Sequence, residues 1–209
     1  MTSEILGGYR LTDGTYSREL FEIPTDFFKR KTLELSRAWV RSEMQGKLLP
    51  HLLSGIGRFI GNNPDYEQLI GMVSASQDYD SPSLQLLAET VKMVAGRSEF
   101  ADLIRPRNPV DLNQLSSDEM KAYLEQISSY RDLDRVLKLR NPDSPGAPQL
   151  FGSYQLFGAK LMAINRDPGF SNTTDFLMSA DLLAMSRKIR IRFMGPVGDE
   201  NFRIRHQLP

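Results

Sequence analysis

The sequence predicts an α/β or α+β protein built on one mixed β-sheet. Strand-like segments alternate with apolar stripes of helical period along the chain, which is the order expected for a sheet covered by helices. At 209 residues the chain can bury one sizeable core, or at most two small ones. A hydrophobic content of 40% beside 25% charged residues is ordinary for a globular protein. We therefore expect a single domain over 1–209.

The first half of the chain alternates strands and helices. Strands are predicted over residues 5–11, 33–40 and 66–75. Between the last two, apolar residues recur at 49, 52, 53, 56, 59 and 60, which predicts a helix ended by a cap at Gly61 and a stop at Pro64. Another helix begins at Pro82, with Ser81 as its N-cap.

The second half adds short helices and two more strands. Ser116 and Glu119 have capping-box spacing ahead of a helix, and a short helix is expected around residues 133–137. An aromatic-rich helix is predicted over 150–161, followed by strands over 161–165 and 175–180. Residues 182–209 form a basic tail, predicted as a solvated edge strand or hairpin. The alternative is a docking patch for an acidic partner.

Composition narrows the function classes. Lys plus Arg and Asp plus Glu each number 26, so the chain has no net positive charge that would favour binding to nucleic acid. The absence of cysteine excludes disulfides and thiolate nucleophiles, and two histidines argue against a histidine metal site. No secretory signal begins the chain, and no apolar run reaches the roughly 18–20 residues of a membrane span. We expect a cytoplasmic protein with, at most, peripheral contact at the inner face of the membrane.

The strand LELSRAWV, residues 33–40, carries two charges that need an explanation. Alternation puts Arg37 on the face of Leu33, Leu35 and Trp39, and Glu34 on the opposite face. A buried carboxylate or guanidinium is costly unless it finds a partner. Either the two side chains form an ion pair that braces the sheet, or they line a functional site.

The loop after this strand offers an anion site. Arg41, Gln45, Gly46 and Lys47 precede a predicted helix start at Leu48. Exposed N–H groups at a helix start, together with nearby cations, suit a phosphate or pyrophosphate. By this interpretation the four residues bind the donor; the alternative is an ordinary helix start that binds nothing.

Two segments resemble one enzyme family. The segment over 33–79 and the segment FGSYQLFGAKLMAINRDPGFSNTTDFLMSADL over 151–182 are similar, in order and spacing, to the hemolysin-like branch of the GNAT-fold N-acyltransferases. This branch includes synthases of ornithine lipid and other long-chain N-acyl amino acids. The ELSR core also resembles the acyl-homoserine lactone synthases. The likeness covers about two thirds of the chain, from residue 7 to residue 181.

The resemblance implies a fold and an activity. The fold is a twisted mixed sheet, splayed near its middle, where the pantetheine arm of the donor enters. The activity is transfer of a long-chain fatty acyl group from acyl carrier protein, or acyl-CoA, to the amine of an amino acid or related compound. No tightly bound cofactor and no metal are implied. Attack by the amine in a ternary complex, with no covalent intermediate, suits a chain without cysteine.

The resemblance also implies site residues. Glu34 would accept the proton of the attacking ammonium, and Arg37 would orient Glu34 or a substrate carboxylate. Backbone N–H groups after residue 40 are candidate oxyanion donors. The expected substrate-binding residues are Arg10, Ser36, Trp39, Ser74 and Asp78. Asp78 could instead only turn the chain, and we predict that Asp167, Asn172 and Asp175 cap turns.

Two departures from the family shape the expected partners. Family members carry about two strands and a helix before the position of Gly7, which this chain lacks, so one sheet edge should be open to a homodimer or a missing N-terminal partner chain. The loop after residue 40 also lacks the usual glycine pair of acetyl-CoA enzymes. That absence, with basic Arg41, Lys47 and Arg58, favours acyl carrier protein over CoA as donor.

Two other functions compete with this hypothesis. The chain could be a non-catalytic binding or regulatory remnant that completes a partner acyltransferase. Glycerolipid acyl transfer is disfavoured, because His51 is followed by LLSGI and lacks the acidic residue of an HxxxxD motif.

Overall fold

A computed structural model describes residues 4–13, 16–44 and 47–209 of the chain. Its strands are β1 Gly7–Thr12, β2 Phe21–Glu22, β3 Thr32–Val40, β4 Gln68–Ala75, β5 Arg105–Pro106, β6 Lys160–Asp167 and β7 Thr173–Asp181. Its helices are α1 Tyr16–Leu20, α2 Leu49–Asn62, α3 Ser81–Ala95, α4 Ser117–Leu124, α5 Tyr130–Arg140, α6 Gln149–Gln155 and α7 Arg187–His206. These elements confirm the predicted class, a mixed sheet flanked by helices.

Five strands form the main sheet in the order β1-β3-β4-β7-β6. The pair β3–β4 is parallel and the other three pairs are antiparallel. One face carries α1 and β2, with a small core that includes Phe21, Phe27, Ile70 and Leu177. The larger core lies on the other face and is covered by α2, α3, α5, α6 and α7. Both faces are therefore apolar, so β4 and β7 are almost continuously buried.

The sheet opens between β3 and its central strand, β4. Residues 32–35 of β3 pair with residues 68–71 of β4, and the pairing stops there. Beyond that point β3 continues along β1, and β4 continues along β7. A cleft lies between the two unpaired halves, at the place where the parallel pair ends.

A β-bulge in β3 corrects the predicted faces of its charged residues. Arg10 of β1 pairs with Arg37, but Leu11 pairs with Leu35, so Ser36 is an extra residue without a partner in the register. A single extra residue reverses the alternation of side chains beyond it. Arg37 therefore lies on the face of Glu34 and not on the face of Leu35. The prediction that Arg37 shares the apolar face was wrong because simple alternation contains no bulge.

Most predicted elements are present with shifted ends. The Ser116–Glu119 capping box is confirmed, with hydrogen bonds in both directions. The helix α3 is capped by Asp80, whose carboxylate accepts the Ser83 N–H at 2.8 Å, and not by Ser81. The helix α2 continues past Gly61, where the predicted cap does not occur. A Cβ at Gly61 would lie 2.6 Å from the Cα of Gly198, so this glycine permits close helix packing.

The aromatic-rich helix and the basic tail differ more from their predictions. The helix α6 ends at Gln155, because Gly158 has φ +69° in the turn that leads into β6. Residues 187–206 form the helix α7 and not an edge strand or hairpin, so that prediction was wrong. The helix bends at Gly195, which has φ +80°. Across this bend, the buried Arg190 donates from Nε to the buried Asp199 at 2.7 Å.

No helix among the described residues has the length and apolar character needed to cross a membrane.

Candidate functional site

The cleft between β3 and β4 has a volume of about 250 Å³ and is the candidate site. Its apolar wall is formed by Leu35, Met72, Leu150 and Phe170. Its polar groups come from Tyr9, Tyr16, Arg37, Ser74, Tyr154 and Asp175. Because the cleft passes between two strands, it reaches both faces of the sheet. A mostly apolar cavity with a few convergent polar groups is typical of a small-molecule site.

Two tyrosines line the cleft on the side of the larger core. Tyr154 of α6 is 4% exposed, and its hydroxyl lies against Gly71, where a Cβ would be only 2.7 Å away. Burial raises the pKa of the Tyr154 hydroxyl well above its ordinary value, and the neighbouring Tyr9 raises it further. Burial also raises the pKa of Tyr9. Both hydroxyls therefore stay protonated at neutral pH and can donate hydrogen bonds to a developing negative charge.

A buried carboxylate, Asp175, lines the opposite side of the cleft. It lies on β7 beside its register partner Ser74 and is 2% exposed. Burial raises its pKa, a hydrogen bond from Ser74 opposes that shift, and the nearby charge of Asp167 raises the pKa again. Thr173 Oγ1 donates to Asp175 Oδ1 at 3.3 Å. A carboxylate with a raised pKa in a cleft is the type of group that accepts a proton during catalysis.

Tyr16 connects α1 to this acidic side. Its hydroxyl donates to Asp167 Oδ2 at 2.6 Å. Burial and the Asp167 carboxylate both raise the pKa of Tyr16, while the positive charge of Arg37 lowers it. The Arg37 guanidinium lies 5.9 Å from the ring centroid of Phe170. Arg37 is the positively charged residue that lines the cleft, and it lies on the same side as the carboxylates of Asp167 and Asp175.

Glu34 lies outside the cleft and supports it. The residue is 0% exposed, and its carboxylate accepts the Ser17 N–H at 2.9 Å and the Ser17 hydroxyl at 3.4 Å. These hydrogen bonds hold α1, which carries Tyr16, against β3. Among the described ion pairs there is none between Glu34 and Arg37. The hydrogen bonds to Ser17 fit a bracing role for Glu34 toward α1. The role of Glu34 as a proton acceptor stays a prediction.

The predicted substrate-binding residues separate into two groups. Ser36 and Ser74 line the cleft. Arg10 is exposed opposite Arg37, and its carbonyl accepts the Ser36 hydroxyl at 3.2 Å.

Trp39 and Asp78 do not line the cleft. Trp39 is 51% exposed, and its indole lies against Gly8, where a Cβ would be 3.0 Å from the indole nitrogen. Asp78 is exposed in the turn after β4 and accepts the Ser76 hydroxyl at 2.9 Å, as the turn alternative predicts.

The predicted donor-binding loop is only partly described. Gln45 and Gly46 lie outside the described residues. Arg41 forms ion pairs with Glu4 and, at 3.2 Å, with Glu43. Lys47 is exposed just before α2. Of the two predicted donor-binding residues that the structure describes, Lys47 therefore has the more accessible charge.

The predicted site contained none of the four aromatic residues of the cleft: Tyr9, Tyr16, Phe170 and Tyr154. Asp175 was predicted to cap a turn at the start of a strand over 175–180, and the capping role was wrong, because Asp175 lies inside β7 and pairs with Ser74. Asp167 Oδ1 does accept the Gly169 N–H at 2.9 Å, as a turn cap would. Its other carboxylate oxygen accepts the Tyr16 hydroxyl. The Thr and Phe residues of TTDFLMSA favour a strand. A predicted strand that began at Thr173 would have placed Asp175 inside the sheet.

Comparison of the chain with protein-family models, curated proteins and solved structures returns no match. Within the described part of the chain, no group of three or more His, Cys, Asp or Glu side chains is arranged to hold a metal ion.

Proposed function

We propose that this protein is an N-acyltransferase that moves a fatty acyl group from a pantetheine-bearing donor to an amine. The observation that carries the proposal is the interrupted pairing of β3 and β4. Residues 36–40 and 72–75 face one another across the cleft without strand pairing. Those of their backbone N–H and C=O groups that point into the cleft, away from β1 and β7, are available to an extended ligand that carries amides, as the pantetheine arm does.

The polar groups of the cleft suit the two proton movements of the reaction. Attack by the amine on the thioester carbonyl forms the C–N bond, the ammonium loses a proton, and the C–S bond breaks to release a thiol. Asp175 is the proposed proton acceptor, because its raised pKa brings it closer to neutrality. Tyr9 and Tyr154 are the proposed donors to the oxyanion or to the departing sulfur.

The remaining charged residues have positioning roles in this proposal. Arg37 binds a carboxylate of the acceptor, which favours an amino acid over a simple amine. Lys47 and Arg58, which lies on α2, are exposed cations that suit the acidic surface of an acyl carrier protein. We propose carrier protein as the donor, with acyl-CoA as the alternative.

Acyl transfer is tested directly with purified protein. The protein is mixed with acyl carrier protein or acyl-CoA and a panel of amino acids and amines, and products are read by mass spectrometry. We expect one class of N-acyl product, whose rate falls at least 100-fold in Asp175→Asn. The matched control, Asp143→Asn, changes an exposed loop carboxylate and should leave the rate unchanged. Absence of any N-acyl product with both donors overturns the proposal.

The outer edge of β1 supports a second candidate, a binding module that completes a partner acyltransferase. The opposite edge strand, β6, is covered: Leu161 N–H donates to Gly96 C=O at 2.9 Å and Arg166 N–H to Asn108 C=O at 2.8 Å. No described strand pairs with the outer edge of β1. An open edge favours addition of a strand from a partner chain or a second copy. Sedimentation of the pure protein, alone and with a candidate partner, tests this alternative, and a monomer that transfers acyl groups contradicts it.

A further inference from the structure

Two arginines lie opposite each other in the strand pair β1–β3. Arg10 of β1 is the register partner of Arg37 of β3, and both side chains are exposed. Leu11 pairs with Leu35, so without the bulge Ser36 would lie opposite Arg10, and the bulge puts Arg37 there instead. The Cβ atoms of directly opposite residues are about 4.5–5.5 Å apart, and like charges at such positions destabilise a sheet. This arginine pair is therefore unfavourable unless an anion neutralises it.

Within the described part of the chain, no carboxylate neutralises the arginine pair. Neither guanidinium forms an ion pair or a side-chain hydrogen bond with another described residue. Arg37 lies 5.9 Å from the ring centroid of Phe170, and the nearby Asp167 accepts the Tyr16 hydroxyl at 2.6 Å. A guanidinium presents a planar fork of donors that matches a carboxylate or a phosphate. The arginine pair is thus suited to an anion from outside the chain.

The arginine pair extends the polar side of the cleft onto the surface of the sheet. Arg37 lines the cleft, whereas Arg10 lies on the next strand and does not line it. An anion at Arg10 therefore occupies open surface beside the cleft and takes no space from a thioester inside it. Asp175 lines the cleft from β7. Across the sheet from β7 to β1, the charges are negative at Asp175, positive at Arg37 and positive at Arg10.

We infer that the acceptor is an amino acid with a second acidic group, and that Arg10 binds this group. The inference rests on the proposed function, in which Asp175 accepts the proton of the amine and Arg37 binds the α-carboxylate. Such an acceptor carries one positive and two negative groups, which complement the three charges of the protein. The second acidic group is a carboxylate or a phosphate, because both bind bidentately to a guanidinium.

Two exposed aromatic side chains near the arginine pair favour an organic ligand over an inorganic anion. Trp39 lies two residues beyond Arg37, so it is on the same face of β3, and it is 51% exposed. Phe170 is 50% exposed. Their rings offer apolar contact to the carbon chain that joins the acidic groups of the acceptor, which an inorganic phosphate lacks.

Acyl transfer to matched pairs of acceptors tests the inference. The pairs are glutamate with glutamine, aspartate with asparagine, and phosphoserine with serine, and the members of each pair differ in the second acidic group. We expect kcat/KM to be at least about tenfold higher for the acidic member of a pair, the effect of one hydrogen bond to a charged group. The pair that shows the preference distinguishes a carboxylate from a phosphate. The preference should shrink at about 1 M salt, because Arg10 is exposed.

Substitutions of Arg10 assign the preference to this residue. In Arg10→Gln the ratio of kcat/KM between the acidic and the neutral member should fall to about 1, since the charge is lost. Taking the ratio within one variant cancels any general effect of the substitution on the rate. Arg10→Lys keeps the charge without the fork and should keep part of the preference. Arg131→Gln is the matched control, because Arg131 is an exposed arginine on α5, and it should keep the wild-type ratio.

Three results would count against the inference. Equal or lower rates for the acidic member of every pair in the wild type overturn it and leave the proposed function standing. A preference that persists in the folded Arg10→Gln variant overturns the role of Arg10, with folding judged by thermal unfolding. No N-acyl product from any amine overturns the proposed function and this inference together.

Discussion

Replacement of Glu34 by glutamine tests whether this residue stabilises the packing of α1 on β3 or accepts a proton during acyl transfer. The Glu34 carboxylate is fully buried and accepts two hydrogen bonds from Ser17, at 2.9 Å and 3.4 Å. A hydrogen bond to a charged group contributes about 1.5–3 kcal/mol, against about 1 kcal/mol for a neutral one. Glutamine keeps one acceptor oxygen and loses the charge. We therefore expect the free energy of unfolding to fall by about 2 kcal/mol.

The assay is urea denaturation followed by circular dichroism, with the melting temperature as a second readout. A loss of about 2 kcal/mol corresponds to about 4–8 °C for a chain of this size. Glu43→Gln is the matched control, because Glu43 carries the same group in an exposed ion pair with Arg41. It should change the stability by less than about 0.5 kcal/mol. Unchanged stability of Glu34→Gln, combined with loss of acyl transfer, would refute the brace and restore the proton acceptor.

Three further predictions follow from buried contacts. Asp199→Ala leaves the buried Arg190 guanidinium without its carboxylate, so urea denaturation should show a loss of about 3–5 kcal/mol. Gly57→Ala would put a Cβ 1.9 Å from the Phe193 carbonyl oxygen, so α2 and α7 must separate, and the melting temperature should fall markedly. The pKa of Asp175 is raised in the folded state, so its favourable contribution is present below its ordinary pKa and is lost as pH rises through the folded pKa. Asp175→Asn should therefore gain stability relative to the wild type as pH rises, measured by thermal unfolding from about pH 4 to about pH 7.

Each of these three predictions has a contradicting result. A loss below about 1 kcal/mol in Asp199→Ala would mean that Arg190 and Asp199 are solvated. A wild-type melting temperature in Gly57→Ala would contradict the close approach of α2 and α7. A stability difference between Asp175→Asn and the wild type that does not vary with pH would mean that the pKa of Asp175 is not raised by burial.

Local patterns in the sequence predicted most of the elements. The stripe of α2, the capping box of α4 and the β-branched and aromatic strands depend on neighbours a few residues apart, so they can be read from the chain. The end of α2 and the form of α7 could not be read in this way. Gly61 has the sequence context of a helix cap, but in the structure its lack of a side chain allows α2 to approach Gly198, which is far away in the sequence. In α7 alternate Arg and Ile residues suggested a strand, whereas burial of Phe193 and Phe202 against the larger core determines a helix.

The cleft was harder to predict than the fold. Ser36, Arg37 and Ser74 were predicted as site residues and do line it. The bulge at Ser36 depends on the register between β1 and β3, which no pattern within β3 reveals. Tyr9, Tyr16 and Tyr154 come from three elements that only the folded chain brings together. Glu34 was singled out because it is charged and buried, and those two properties describe a brace as well as a catalyst.

The central claim is that a pantetheine thioester binds in the cleft between β3 and β4. The direct measurement is an NMR titration of the isotope-labelled protein with octanoyl pantetheine, which follows the backbone amides. The account predicts that the largest shifts fall on residues 36–40 and 72–75 and on Tyr154, while residues 68–71, already paired with β3, shift little. Shifts that cluster elsewhere, or no shifts at saturating ligand, would contradict it.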